Sequence, residues 1–363
     1  MIKKKRKLKK KRIFFASSIL ILLIIFIVNL PSLIYNIKLS TKGYDKTSIK
    51  LLKENNIKLN KYSKTLDNII NTKYFILDNT SYYIDIDYHD EDNFYENINN
   101  LINKGYNTTE INKIYEKKID TNIVLNNEYN KNILTILSSP YFNKDNLERY
   151  LKYNKEDDIV LNVNMNLDYN FYTHDININE VNTNVIVNKY YKLDSNYIPE
   201  LGSAHEQDDD SINDRQLVTK ETKEAFEKMA SDARNEGIYI YSGSAYRSYS
   251  YQNTLYSNRV KTDGLEYANN TAAKAGYSEH QTGMALDLMN KNYEYLTNDD
   301  KEYTWLIENS YKYGFILRYP SDKTEITGYS YEPWHFRYIT IDIATYLKEN
   351  NLVYEEYIGM NLK

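Results

Sequence analysis

The chain has 363 residues, with 46 Lys and Arg against 50 Asp and Glu and no cysteine. That length suits two domains, or one domain on a stalk. The missing cysteines exclude a disulfide framework and a Cys-type structural zinc, so any exported part must fold on its hydrophobic core alone. The net charge of −4 hides an uneven distribution, and the abundance of Tyr, Asn, Lys and Ile reads as a coding bias, not as function.

Residues 1–12 form a basic tail, Lys3-Lys4-Lys5-Arg6-Lys7 and Lys9-Lys10-Lys11-Arg12. An apolar stretch, residues 13–35, reaches the ~20 residues needed to cross a bilayer. The basic flank predicts a single-pass anchor with the N-terminus cytoplasmic and the rest of the chain extracytoplasmic. A cleaved signal peptide is the competing reading, but no small-x-small site follows in Asn29–Asn36. The adjoining apolar run argues against nucleic acid as the partner of the basic tail.

Residues 36–160 read as a mainly helical stalk of short units opening on Leu51-Leu52 and Leu101-Ile102, spaced too irregularly for a repeat array. Tyr82–Tyr88 alternates like a strand, as does Ile159–Met165. Residues 161–185 form a linker or extended arm, and Val185-Ile186-Val187 is a short β-branched run. The acidic run Glu206–Asp210 reads as a solvated loop, with His205 before it as a spare ligand.

The last section, residues 186–363, mixes helix and strand signals. Thr219 caps a helix carrying Ala225, Phe226, Met229, Ala230 and Ala233 on one face, ended by Gly237. Ile238–Tyr241 predicts a strand, followed by a loop through Arg247 and a helix holding Gln252. Further helices are expected over Leu265–Ala275, after Asn298, and over Ile341–Glu349. Phe315–Tyr319 and His335–Tyr338 predict paired strands. The order implies an α+β domain with a compact, mostly antiparallel sheet and flanking helices.

The chemistry concentrates in Ser278-Glu279-His280-Gln281-Thr282-Gly283-Met284-Ala285-Leu286-Asp287 and Glu332-Pro333-Trp334-His335. Two histidines and one aspartate can hold a zinc ion with an open fourth position, as catalytic sites do. His280 and Asp287 would face opposite ways on one straight strand. Gly283 between them permits a bend, which predicts His280 on a loop and Asp287 entering the sheet. Glu332 lies near the metal without ligating it, placed to take a proton from water and return it to a leaving amine. His89 and His174 lie outside this pattern.

These two segments resemble the zinc D-alanyl-D-alanine carboxypeptidases of the VanY type, relatives of the VanX dipeptidases. The shared pattern is Ser-x-His-x-x-Gly-x-Ala-x-Asp at Ser278–Asp287 and Glu-x-x-His at Glu332–His335. Tyr246-Arg247-Ser248, Tyr313-Gly314-Phe315-Ile316, Arg318-Tyr319-Pro320 and Thr327-Gly328-Tyr329 also match. The resemblance covers 186–345 and implies a hedgehog/D-Ala-D-Ala peptidase-like fold. It implies one Zn2+ per domain on His280, Asp287 and His335, and Glu332 as general base and acid. It further implies Arg247 at the substrate carbonyl, and Ser278 and Gln252 as substrate-binding positions. Trp334 reads as a packing residue beside the site.

The implied activity is removal of the C-terminal D-alanine from peptidoglycan stem peptides. An L,D-carboxypeptidase acting on tetrapeptides shares the same motifs. A peptidoglycan endopeptidase suits an anchored protein less well, and a zinc-stabilised wall-binding module would leave Glu332 unexplained.

Overall fold

The computed structural model describes residues 2–155, 158–203 and 216–362. His205 and the acidic run Glu206–Asp210 lie outside them. The chain divides into two compact units, Met1–Ser139 and Pro140–Lys363.

The first unit opens with the helix Ile2–Ser40, which contains Pro31. Its Ser17–Ser40 stretch has a mean hydropathy of 2.5 and none of its most apolar window buried. It is long and apolar enough to cross a membrane, a property that a signal sequence shares. Short helices follow, among them Lys46–Glu54, Lys64–Ile69, Phe94–Asn103 and Thr108–Glu116. Lys46–Glu54, Lys64–Ile69 and Thr108–Glu116 each start where a polar side chain accepts from an orphan amide. Asp45 accepts from Ser48 N at 2.7 Å, and Asn107 and Glu110 close a reciprocal capping box. Leu52, Leu66, Ile69, Ile98, Leu101, Ile111 and Ile114 form the buried interior. The alternating Tyr82–Tyr88 segment is not a strand. Residues Thr80–Asp85 are helical, because Thr80, Tyr83 and Ile86 recur at a spacing of three and are all buried.

The second unit begins at Pro140. Ile159–Asn164 is a helix instead of a strand. Asp158 caps it by accepting from Leu161 N at 3.0 Å. Ile159, Val160 and Val163 then turn inward together, an i, i+1, i+4 face that an alternating strand would split. Asn164 Nδ2 donates to Gly359 O at 2.9 Å, tying this helix to the C-terminal helix Tyr354–Asn361. Residues 140–185 are therefore part of the fold that carries the site. Two short ladders lead in: β1 (Ile176–Asn177) parallel to β2 (Tyr191–Lys192), and β3 (Gly202–Ser203) antiparallel to β4 (Leu217–Val218).

The central sheet contains β5 (Tyr241–Ser244), β6 (Ala285–Met289), β7 (Phe315–Leu317) and β8 (His335–Tyr338), in the order β5-β6-β8-β7 and antiparallel throughout. One face packs on the helix Lys220–Asn235, capped by Thr219. Phe226, Met229, Ala230 and Ala233 from that helix meet Leu286, Leu288, Phe315 and Phe336 from the sheet, with Trp305 and Leu306 beside them. The other face carries the polar residues. The domain is α+β with an antiparallel sheet, as the element order implies. Two helix limits differ from expectation. One helix stops at Thr271, where Ala272 turns extended. Another starts at Lys301 because Asp300 spends its carboxylate on Thr297 and Asn290, holding residues 297–300 in a turn.

Candidate metal centre and active site

His280 sits in a 3₁₀ turn, Glu279–Thr282, that Gly283 ends with φ of 70°. A Cβ at Gly283 would stand 2.9 Å from Leu201 Cδ2, so only glycine fits this left-handed position without displacement. The bend lets the chain leave the turn straight into β6. Asp287 on β6 and His335 on β8 are paired residues of the antiparallel ladder, so their side chains share one face.

The three side chains converge. His335 Nδ1 lies 3.0 Å and His280 Nε2 3.3 Å from the same oxygen, Asp287 Oδ1. One donor atom from each of the three residues lies within 4.8 Å of the others. Zinc ligands at ~2.1 Å with tetrahedral angles stand about 3.4 Å apart, so the spacing fits. The tautomers fit too. His280 Nδ1 donates to Ala245 O at 2.6 Å, leaving the Nε2 lone pair aimed inward, buried and without a hydrogen bond among the described residues. His335 turns its Nε2 to Glu279 Oε2 at 3.4 Å and presents Nδ1.

Glu279 is the residue that sequence reasoning missed. Its Oε1 accepts from Arg318 Nε at 2.8 Å and Arg337 Nη1 at 3.0 Å. Arg318 is also held by Glu355, at 2.8 and 2.6 Å. All four are buried. No local pattern marked it, because the imidazole that it contacts belongs to His335, 56 residues on.

The electrostatics favour a cation. Burial alone would raise the Asp287 carboxyl, yet His280 and Arg247 hold it well below the ordinary range. Burial and the Arg247 charge push His280 down to about 4, which keeps it neutral. Burial also acts against charge on His335, but its bonds to Asp287 and Glu279 and the charges of Asp287 and Glu332 win, raising it to about 9. Glu332 Oε2 is 3.7 Å from His335 Nδ1. Burial, with Asp287 adding to it, raises Glu332 to about 7 against His335 and Arg247.

A cavity of about 250 Å³ opens on this cluster. Arg247 bonds Asp287 Oδ2 and donates to Ser244 Oγ at 3.1 Å, with its guanidinium in the cavity wall. Ser278, Gln252 and Trp334 line the same cavity. Gln252 Nε2 donates to Ala273 O at 2.8 Å, while its Oε1 is buried without a protein partner among the described residues. All seven expected site residues thus border one cavity. His89 and His174 instead stack on Tyr115 and Tyr169.

Known proteins resemble this chain over its C-terminal part. Residues 215–341 match the VanY family, described as D-alanyl-D-alanine carboxypeptidase. YodJ of Bacillus subtilis (strain 168), a carboxypeptidase by name, is 38% identical over 189 residues, 49% of this chain and 68% of its own length. A D-alanyl-D-alanine carboxypeptidase of Enterococcus faecium is 42% identical over 144 residues, 39% of this chain and 44% of its own. Among solved structures, the LdcB LD-carboxypeptidase is 35% identical with a TM-score of 0.47, over 51% of this chain and 90% of that one. The chain belongs to the VanY family of carboxypeptidases.

Proposed function

We propose that the chain is a zinc-dependent D,D-carboxypeptidase that hydrolyses the terminal D-alanyl-D-alanine bond of peptidoglycan stem peptides. The observation that carries this reading is the convergence of His280 Nε2, Asp287 Oδ1 and His335 Nδ1 beside the carboxylate of Glu332. A zinc ion on those three atoms would supply Lewis acidity to the scissile carbonyl and lower the pKa of water.

The rest belongs to the chain's own residues. Glu332, largely buried and raised toward neutrality, takes a proton from the attacking water and passes it to the departing amine. The C–N bond breaks, releasing D-alanine and the shortened peptide. Arg247 donates to the carbonyl oxygen as negative charge develops there. Gln252 Oε1, buried and without a protein partner among the described residues, accepts from a substrate N–H, and the Ser278 hydroxyl donates to the terminal carboxylate. Burial of the cluster excludes bulk water and strengthens each of these interactions. The basic tail and apolar helix support a reading in which the enzyme is held at the outer face of a membrane, against the wall precursor.

The test uses the full chain purified in detergent with zinc, incubated with muramyl pentapeptide and with muramyl tetrapeptide, the products weighed by mass spectrometry. Loss of one alanine from the pentapeptide alone is expected. Loss from the tetrapeptide alone would reassign the enzyme as an L,D-carboxypeptidase. No cleavage of either, with zinc bound, would refute the carboxypeptidase reading.

A further inference from the structure

Strand pairing extends the catalytic face of the sheet beyond the cavity. Asp287 and Met289 are two residues apart on β6 and so point to the same side. Met289 pairs with Tyr241 on β5 and bridges to Tyr295, and cross-strand partners share a face. Tyr241 and Tyr295 therefore lie on the face that bears Asp287. Glycine makes room for Tyr295 there, since a Cβ at Gly243 would stand 2.8 Å from both the Tyr295 ring and Met289.

The strip continues at both ends. Tyr295 and Trp334 both line the active cavity, with ring centroids 6.4 Å apart. At the outer end, Tyr293 stacks on Tyr241 with centroids 4.6 Å apart and planes 25° off parallel. Tyr293 is 66% exposed and Tyr295 49%. Tyr293 also adopts φ of 63°, the left-handed region that bulky side chains rarely visit. Asn290 holds it there, its Oδ1 accepting from Asn292 N at 2.9 Å and Glu294 N at 3.2 Å. The protein thus spends backbone strain and a built turn on displaying an exposed ring.

From this continuity we infer that Tyr295, Tyr241 and Tyr293 form a platform that stacks a sugar ring of the glycan to which the stem peptide is attached. This rests on the stem-peptide reading above. Length supports it. From Asp287 to Tyr241 is two residues along a strand and one strand across, on the order of 8 Å. With the stacked Tyr293 the platform reaches on the order of 12 Å. An extended stem of four residues ahead of the scissile bond spans about 14 Å. A peptide seated at the cluster and running along this face delivers its sugar to the tyrosines. Flat phenol rings suit the C–H face of a pyranose, and their hydroxyls its O–H groups.

The test compares two ligands on the full-length, zinc-loaded chain. One is a disaccharide-pentapeptide, the other the same pentapeptide with an acetyl group in place of the sugar. The wild type should favour the disaccharide form in kcat/KM by about five- to tenfold, mainly through KM. Tyr293→Ala should collapse that ratio toward one and Tyr293→Phe should retain it. Calorimetric titration of Glu332→Gln with the same two ligands reads the preference without turnover. Equal kcat/KM or equal binding for the two forms in the wild type, or an unchanged ratio in Tyr293→Ala, would overturn the platform. If neither ligand is cleaved by the wild type, the carboxypeptidase reading fails, and the calorimetric preference still decides the platform.

Discussion

Replacing Glu279 by Gln should damage stability and metal affinity together. Glu279 Oε1 receives two charge-assisted hydrogen bonds, from Arg318 and Arg337, and Oε2 orients His335. Gln keeps the volume and removes the charge. Arg318 retains Glu355, and Arg337 retains the carbonyls of Thr183, Val185 and Tyr338, so neither guanidinium is stranded. Breaking a buried pair typically costs 3–5 kcal/mol, and the remaining partners place this loss at about 3 kcal/mol. Loss of the carboxylate behind a ligand imidazole lowers metal affinity about 10–100-fold. Both tryptophans, Trp305 and Trp334, lie in the second unit, so their fluorescence during denaturant unfolding reports on that unit alone. Zinc affinity follows from competition with a chelator. The pH dependence adds a sign. Burial acts to raise Glu279, but Arg318 and Arg337 hold it far below the ordinary carboxylate range. Its contribution is therefore complete above the unfolded value of about 4.3 and fades as pH falls below it. The substitution should flatten that acid limb. A stability loss under about 1 kcal/mol with unchanged zinc affinity would refute the account of Glu279 as the ligand-orienting group.

Glu332→Gln should retain zinc and lose about 10²–10⁴-fold in kcat/KM; activity within a few-fold of wild type would remove Glu332 from its proton-transfer role. Lys189 is buried against the rings of Phe171 and Tyr329 and donates to Gly328 O. Burial, helped by Lys274, lowers it to about 8. The native state thus sheds this proton before the unfolded chain does, so its contribution rises with pH from about 8 to about 10.4, by about 3 kcal/mol. Unfolding measured across that window should show this slope in the wild type relative to Lys189→Met, and parallel curves would refute it. A fragment beginning at residue 140 should unfold with the full chain's tryptophan transition, whereas one beginning at 186 loses Asn164, Phe171 and Tyr172 and should unfold at clearly lower denaturant. Equal midpoints would show that 140–185 adds nothing to the fold.

The divergence between expectation and structure follows residue types. Thr219 and the helix face Phe226–Ala233 were legible because capping and a 3.6-residue period are local properties. Ile159–Met165 was misread because β-branched residues in a short run fit either element, and an Asp158 cap with burial against the C-terminal helix decided it. Contacts such as Asn164 to Gly359 join residues 195 apart in the chain, which no local pattern encodes.

The cluster of His280, Asp287 and His335 divides in the same way. Ser278–Asp287 and Glu332–His335 were readable by themselves, since the donor types and the glycine between them are chemical requirements written in one short stretch. The sequence also determined the α+β character, the apolar anchor-length helix and the absence of disulfides. Tertiary structure alone decided that Asp287 and His335 sit opposite each other in a ladder, and that Arg318, Arg337 and Glu355 converge behind Glu279. It also decided that Tyr241, Tyr293 and Tyr295 continue the catalytic face. The physical reason is that register and buried charge pairing arise between strands and helices distant in sequence. Their energy depends on a dry, packed environment that exists only once the chain has folded.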